Sequence, residues 1–164
     1  MKHEFVLDEN LLYLGIKGTD ENGKPDSTTA KLPILILKNC HKIIVDKELN
    51  RRFKNHLKKL KRISRKEPVI PGMDEFVRNL LHNNNKIIWY FLPLDSVPDE
   101  KKMPRKDIHV VRAGYHFSAK IVTVDKTLAR AISSSFSLKE RGVTVLHPKE
   151  AITLAQETQE PLQL

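Results

Sequence analysis

Four aspartates stand where a carboxylate can do chemistry. Asp8, Asp46 and Asp125 each directly follow a run of β-favouring residues ("FVLD", "IIVD", "IVTVD"), and Asp107 opens a helical pattern leading into the strand that ends at Asp125. In an open parallel sheet, ligands bind beyond the carboxyl ends of the strands, near the point where strand order reverses. Acids at those ends therefore have a route to one another. Clustered carboxylates repel unless they are protonated or offset by a cation. Mg2+ and Mn2+ take oxygen ligands and keep several waters, so two or three carboxylates suit them. Zinc would want His or Cys, and the spacing it needs is absent from this chain.

Each aspartate also has an ordinary explanation. Asp46 before "KELNRRF" and Asp125 before "KTLARA" suit helix N-caps, and Asp107 suits a first helical turn, where a negative charge favours the dipole. Spacing alone leaves caps and a metal site both open. Other chemistries have less support. There is no GxGxxG, no Walker A loop and no G-x-S-x-G nucleophile turn. A phosphoacceptor site of receiver type would need a further acidic pair upstream, which is not seen. The seven histidines are scattered; His109 and His116, two turns apart, read as packing or solvent residues. The single Cys40 ends an apolar helical pattern, needs no redox role and excludes an internal disulfide.

The elements that must position these acids are legible as periodicity. Candidate strands cover residues 3–7, 42–45, 86–91, 120–124 and 143–146. Helical patterns cover 27–40 (with Pro33 in its first turns), 47–64, 74–81, 107–117, 126–134 and 148–156. Residues 18–29 and 93–106 read as loops, and Trp89, inside a strand pattern, as core. Strands separated by helices predict an α/β fold: a mainly parallel five-stranded sheet covered on both faces. No linker divides the chain, so residues 1–156 read as one domain with a polar tail over 157–164.

With 164 residues, 40% hydrophobic and 30% charged, the chain belongs among soluble globular domains. The longest apolar run, Leu32 to Leu37, is too short for a membrane span, and the first residues do not resemble a signal peptide. Cytoplasmic residence, away from membranes, is the expectation. Charge is uneven. Residues 38–66 hold twelve Lys and Arg against Asp46 and Glu48, a local charge of +10, whereas the whole chain carries +9. Within that segment Leu49, Phe53, Leu57 and Leu60 form an apolar stripe beside a basic face that includes Lys54, Lys58, Lys61, Arg62 and Arg65. Such a face suits a polyanion, nucleic acid first, although a solvated helix surface would look the same.

Taken together, "FVLDENLLY", "KDIHVVRAGYHFSAKIVTVDKTLARA" and "GVTVLHPKEAITLA" resemble the PIN domain family, which includes metal-dependent ribonucleases such as the VapC-type toxins. The family's D-x-N after the first strand matches Asp8 and Asn10. Its D…A…(I/V)-V-T-x-D-x-x-L pattern matches Asp107, Ala113, Ile121, Val122, Thr123, Asp125 and Leu128. The resemblance implies a three-layer α/β/α fold and a Mg2+- or Mn2+-dependent endoribonuclease. Asp8, Asp107 and Asp125 would hold the metal directly or through water, with Asn10 and Thr123 orienting them. It further implies RNA as substrate, an antitoxin protein as partner where the member is a toxin, and a tendency to homodimerise.

One departure is visible. The family's usual helix glutamate falls near Arg52, and the nearest acid, Glu48, lies one turn earlier. Glu48 is the expected fourth catalytic acid if the helix is shifted; otherwise the chain is a PIN-like RNA-binding or scaffold module without hydrolysis.

Overall fold

β-Branched and aromatic residues dominate five short segments, and all five form strands: β1 (Glu4–Leu7), β2 (Lys42–Asp46), β3 (Ile87–Tyr90), β4 (Lys120–Val122) and β5 (Thr144–Leu146). The structure is a computed structural model describing residues 2–63, 70–90 and 93–157. Every strand pair is parallel, in the order β3-β2-β1-β4-β5. The central strand is apolar on both faces because both are covered, and Phe5, Val6 and Leu7 have no exposed surface.

Among the described residues, eight α-helices accompany the strands: α1 (Glu9–Lys17), α2 (Thr28–Lys38), α3 (Lys47–Ile63), α4 (Met73–Leu81), α5 (Ile108–Phe117), α6 (Lys126–Ser133), α7 (Phe136–Glu140) and α8 (Pro148–Ala155). α1 contacts α2, α3 and α4, and α2 also packs on α8; α5 lies against β1, β2 and β4. The result is a three-layer α/β/α arrangement. No helix among the described residues is long and apolar enough to cross a membrane.

The periodicity missed two of these helices. α1 starts at once behind Asp8, with no loop to announce it, and carries a glycine in its interior. That glycine is required: a Cβ on Gly15 would lie 2.8 Å from the carbonyl oxygen of Thr29 in α2. Thr29 is four residues before Pro33, which has no N–H to offer that carbonyl. The short α7 is set by its cap, the Ser135 hydroxyl accepting from the Leu138 N–H. Two further expectations need correction. α2 stops at Lys38, and Cys40 lies beyond it, exposed, at φ 63°. Trp89 is only half-buried, because β3 is an edge strand.

The segment expected as loop over 93–106 contains two 3-10 turns, Glu100–Lys102 and Arg105–Asp107. It is tied down by charge. Arg112 of α5 donates to both Glu100 oxygens, at 2.6 and 2.9 Å, and Asp99 accepts from Ser135 and Ser137 at the head of α7. These bonds fix where the chain enters α5, and therefore where Asp107 stands.

Candidate active site

The strand order places the site. From β1 the chain crosses to β2 on one side, while β4 pairs with β1 on the other. β1 and β4 therefore flank the point where strand order reverses, the usual ligand position of an open parallel sheet. Asp8 ends β1; Thr123 and Asp125 follow β4.

Asp8 is 3% exposed and its two carboxylate oxygens are used separately. Oδ1 accepts from the Glu9 N–H at 2.7 Å, capping α1, and Oδ2 accepts from the Thr123 hydroxyl at 2.8 Å. The same Thr123 oxygen accepts from the Asp125 N–H at 3.0 Å, joining the ends of the two central strands through one side chain. Burial pushes the Asp8 carboxyl above its usual range against the pull of these donors, and the charges of Glu9 and Asp125 add to the rise.

Asp107 is also 3% exposed, and it makes no side-chain cap bond although it sits at the head of α5. Its Oδ2 is buried with no partner. Burial first, and then the charge of Asp8, raise its carboxyl from 3.8 to about 6. Asp125 behaves differently. Its Oδ1 accepts from the Thr127 and Leu128 N–H groups as the cap of α6, and its Oδ2 faces the Lys106 ammonium at 3.5 Å. Those N–H groups and Lys106 hold it below the usual carboxylate range.

The three aspartates thus share one electrostatic environment at the switch point. They do not form a closed ligand cage: among the described residues, no three His, Cys, Asp or Glu side chains come together as a group that could hold a metal ion. The physical reason is competition. Asp125 is turned to its helix and to Lys106, and Asp8 to Glu9 and Thr123. Asp107 alone presents an unclaimed oxygen. Divalent-cation chemistry still fits this donor set, because Mg2+ commonly takes only one or two protein carboxylates and completes its shell with water and substrate phosphate. A buried carboxylate raised by the charge of Asp8, with one open oxygen, is a donor suited to such an ion.

The remaining sequence expectations divide. Asn10 is exposed on the first turn of α1 and bonds to none of the aspartates among the described residues. Glu48 does not join them either. Arg51 and Arg52 of α3 both grip it, at 2.5 and 2.9 Å, and these hydrogen bonds hold its carboxyl down at about 2. Arg52 also reaches Glu9, at 3.3 Å, and its positive charge is felt by Asp107. The position where a glutamate was expected therefore delivers a cation to the pocket, held by two acids. Asp46 is a helix cap, accepting from the Leu49 N–H at 2.7 Å.

One group was not anticipated as a member of this site: Lys106, which pairs with Asp125. Nearby, half-buried His109 has an unpartnered Nε2; burial and the Arg52 charge lower its imidazole to about 4. A histidine one turn from a charged cluster has no distinguishing sequence signal. On the basic face, Lys54, Lys58 and Arg62 are exposed along α3, while Leu49, Phe53 and Leu57 are buried beneath. The Lys61 side chain, Arg65 and the tail from residue 158 lie outside the described residues.

No family model matches the chain, and no curated protein matches it. Among solved structures, it is similar to a PilT N-terminus domain protein from the hyperthermophilic archaeon Sulfolobus solfataricus P2. The similarity covers 96% of this chain and 98% of that one, at 11% identity and a TM-score of 0.46.

Proposed function

We propose that the protein is a PIN-type nuclease that hydrolyses RNA phosphodiesters with Mg2+ or Mn2+. The observation that carries this reading is Asp107, buried beside Asp8 with one oxygen unclaimed and its carboxyl raised to about 6. A solvent-excluded carboxylate pair is costly without a cation, and no packing role explains why Asp107 has no donor. Asp8 and Asp107 would hold the ion, with Asp125 acting through water. The chemistry such an ion supplies when bound is a water of lowered pKa and neutralisation of the phosphate's charge.

The protein's own groups do the rest. Thr123 fixes the Asp8 carboxylate by its hydroxyl bond, so that neither oxygen swings away. Asp107 loses its proton near neutral pH and is ready to ligate there. Lys106 at the mouth and the basic face of α3 attract the RNA backbone. The test is cleavage of single-stranded RNA by purified protein with added Mn2+. Asp8→Asn and Asp107→Asn should each fall to the background seen with chelator; cleavage continuing at the wild-type rate in both variants removes the site.

A second reading has its own observation. Arg52, locked between Glu9 and Glu48, offsets negative charge where the family usually adds it. A chain that binds RNA without cutting it would keep the basic face and show salt-sensitive affinity with no Mn2+ binding.

A further inference from the structure

Apart from the aspartates, the structure holds a cavity that the proposed chemistry does not use. An open cleft of about 550 Å³ lies between α3, α4 and the edge strand β3. Its floor is apolar, made by Leu57, Leu81 and the indole of Trp89, and its rim is cationic, made by Lys54, Lys58 and Arg78. No carboxylate lines it among the described residues, and none there pairs with those three cations. Lys54 and Lys58 stand one helical turn apart, about 6 Å along α3. That is close to the spacing of successive phosphates on an extended nucleic-acid strand.

A second cleft of about 460 Å³ adjoins the first, sharing Asn50 and Lys54, and runs back to Asp46 at the carboxyl end of β2. That is the end of the sheet where the aspartates gather. The pair of clefts therefore forms a trough along α3, leading from Asp46 and Glu48 at that end of the sheet to Trp89.

We infer that the Trp89 cleft is a nucleotide-binding subsite for single-stranded RNA. One base enters against the indole, Leu57 and Leu81, while Lys54, Lys58 and Arg78 hold the flanking phosphates. The chemistry selects this occupant. An apolar floor with an aromatic suits the face of a base, and a rim of one sign suits the phosphates on either side of it. The volume lies within the range of about 300–1,000 Å³ usual for small-ligand clefts. A duplex would present its bases stacked inside and could not enter. The inference rests on the proposed function only for RNA as the substrate; it requires no cleavage.

The protein contains one tryptophan, so its emission reports on this cleft alone. Full-length protein in excess EDTA would be titrated with an oligoadenylate of about eight nucleotides, and the binding followed independently by anisotropy of end-labelled RNA. Trp89 emission should change saturably, in step with the anisotropy. Lys54→Gln with Arg78→Gln should weaken binding roughly 10- to 100-fold at low salt and reduce the slope of log affinity against log salt by about 1.4. These two side chains lie on the rim, so the double variant keeps the core and retains Trp89 as the reporter. Trp89→Leu should cost about 5- to 100-fold.

RNA binding with unchanged Trp89 emission overturns the inference. So does a polyglutamate peptide that produces the same emission change with equal affinity, which would show that charge alone is read. An emission change that follows protein concentration without RNA also overturns it, by assigning the cleft to a second copy of the chain. The two proposals fail separately. An emission response in a protein that never cuts RNA keeps the subsite and removes the nuclease. Cutting without the response does the reverse.

Discussion

Replacing Asp107 with asparagine in chelator-treated protein removes a carboxyl whose ionisation the fold opposes. The Asp107 carboxyl moves from 3.8 in the unfolded chain to about 6 in the folded one. With about 1.4 kcal/mol per pKa unit, the shift of roughly two units corresponds to up to about 3 kcal/mol. Because the residue is 3% exposed, solvent screening takes little of it away. The sign follows from linkage. A carboxyl whose folded pKa is raised binds its proton more tightly in the folded state, so that stabilisation is complete below 3.8 and lost as pH rises through about 6. The wild type should therefore lose up to about 3 kcal/mol relative to Asp107→Asn between acid and neutral pH. Urea unfolding of both proteins across that window measures the difference, and the raised Asp8 is common to both. Saturating Mn2+ should restore the wild type at neutral pH and leave the variant unmoved. A stability difference that is flat with pH, or that favours the wild type more as pH rises, refutes the assignment of Asp107 as a buried, uncompensated acid.

Other perturbations follow from the same geometry. Thr123→Val keeps the side chain's shape but leaves Asp8 Oδ2 and the Asp125 N–H without their bonds; chemical denaturation should show a loss of about 1–3 kcal/mol. Gly15→Ala drives a Cβ into the Thr29 carbonyl, which is backbone and cannot turn aside; a loss of about 1–3 kcal/mol should appear as a lowered Tm with unchanged secondary structure by circular dichroism. Arg52→Gln removes a cation that Asp107 feels; Mn2+ affinity by calorimetry should rise on the order of tenfold, the scale of one charge several ångströms away at intermediate dielectric.

The sheet was legible because each strand is a short β-favouring run, "FVL", "IIV", "IIWY", "IV" and "TVL", apolar on both faces in the inner strands, and their alternation with helices gives a parallel order. α1 was not legible, because a helix that begins on the residue after a strand carries no loop, and Gly15 lowers its propensity. The cap on α6 was readable from Asp125 and "KTL", and it is the cap that pulls this carboxylate from the other two. Sequence placed Asp8, Asp107 and Asp125 in one region but could not say which oxygens were already claimed, since Thr123, Lys106 and backbone N–H groups decide that in three dimensions. Trp89 was expected in the core because its pattern is that of a strand; strand order, which no local pattern encodes, puts it on an edge and opens it to a cleft.

Mn2+ binding at neutral pH, followed by the relaxation of water protons around the ion, bears most directly on the buried acidic pair at the end of β1. The wild type should take up Mn2+ saturably, and Asp8→Asn and Asp107→Asn should each abolish it while staying folded. Equal uptake by all three proteins, or none by the wild type, would contradict the account.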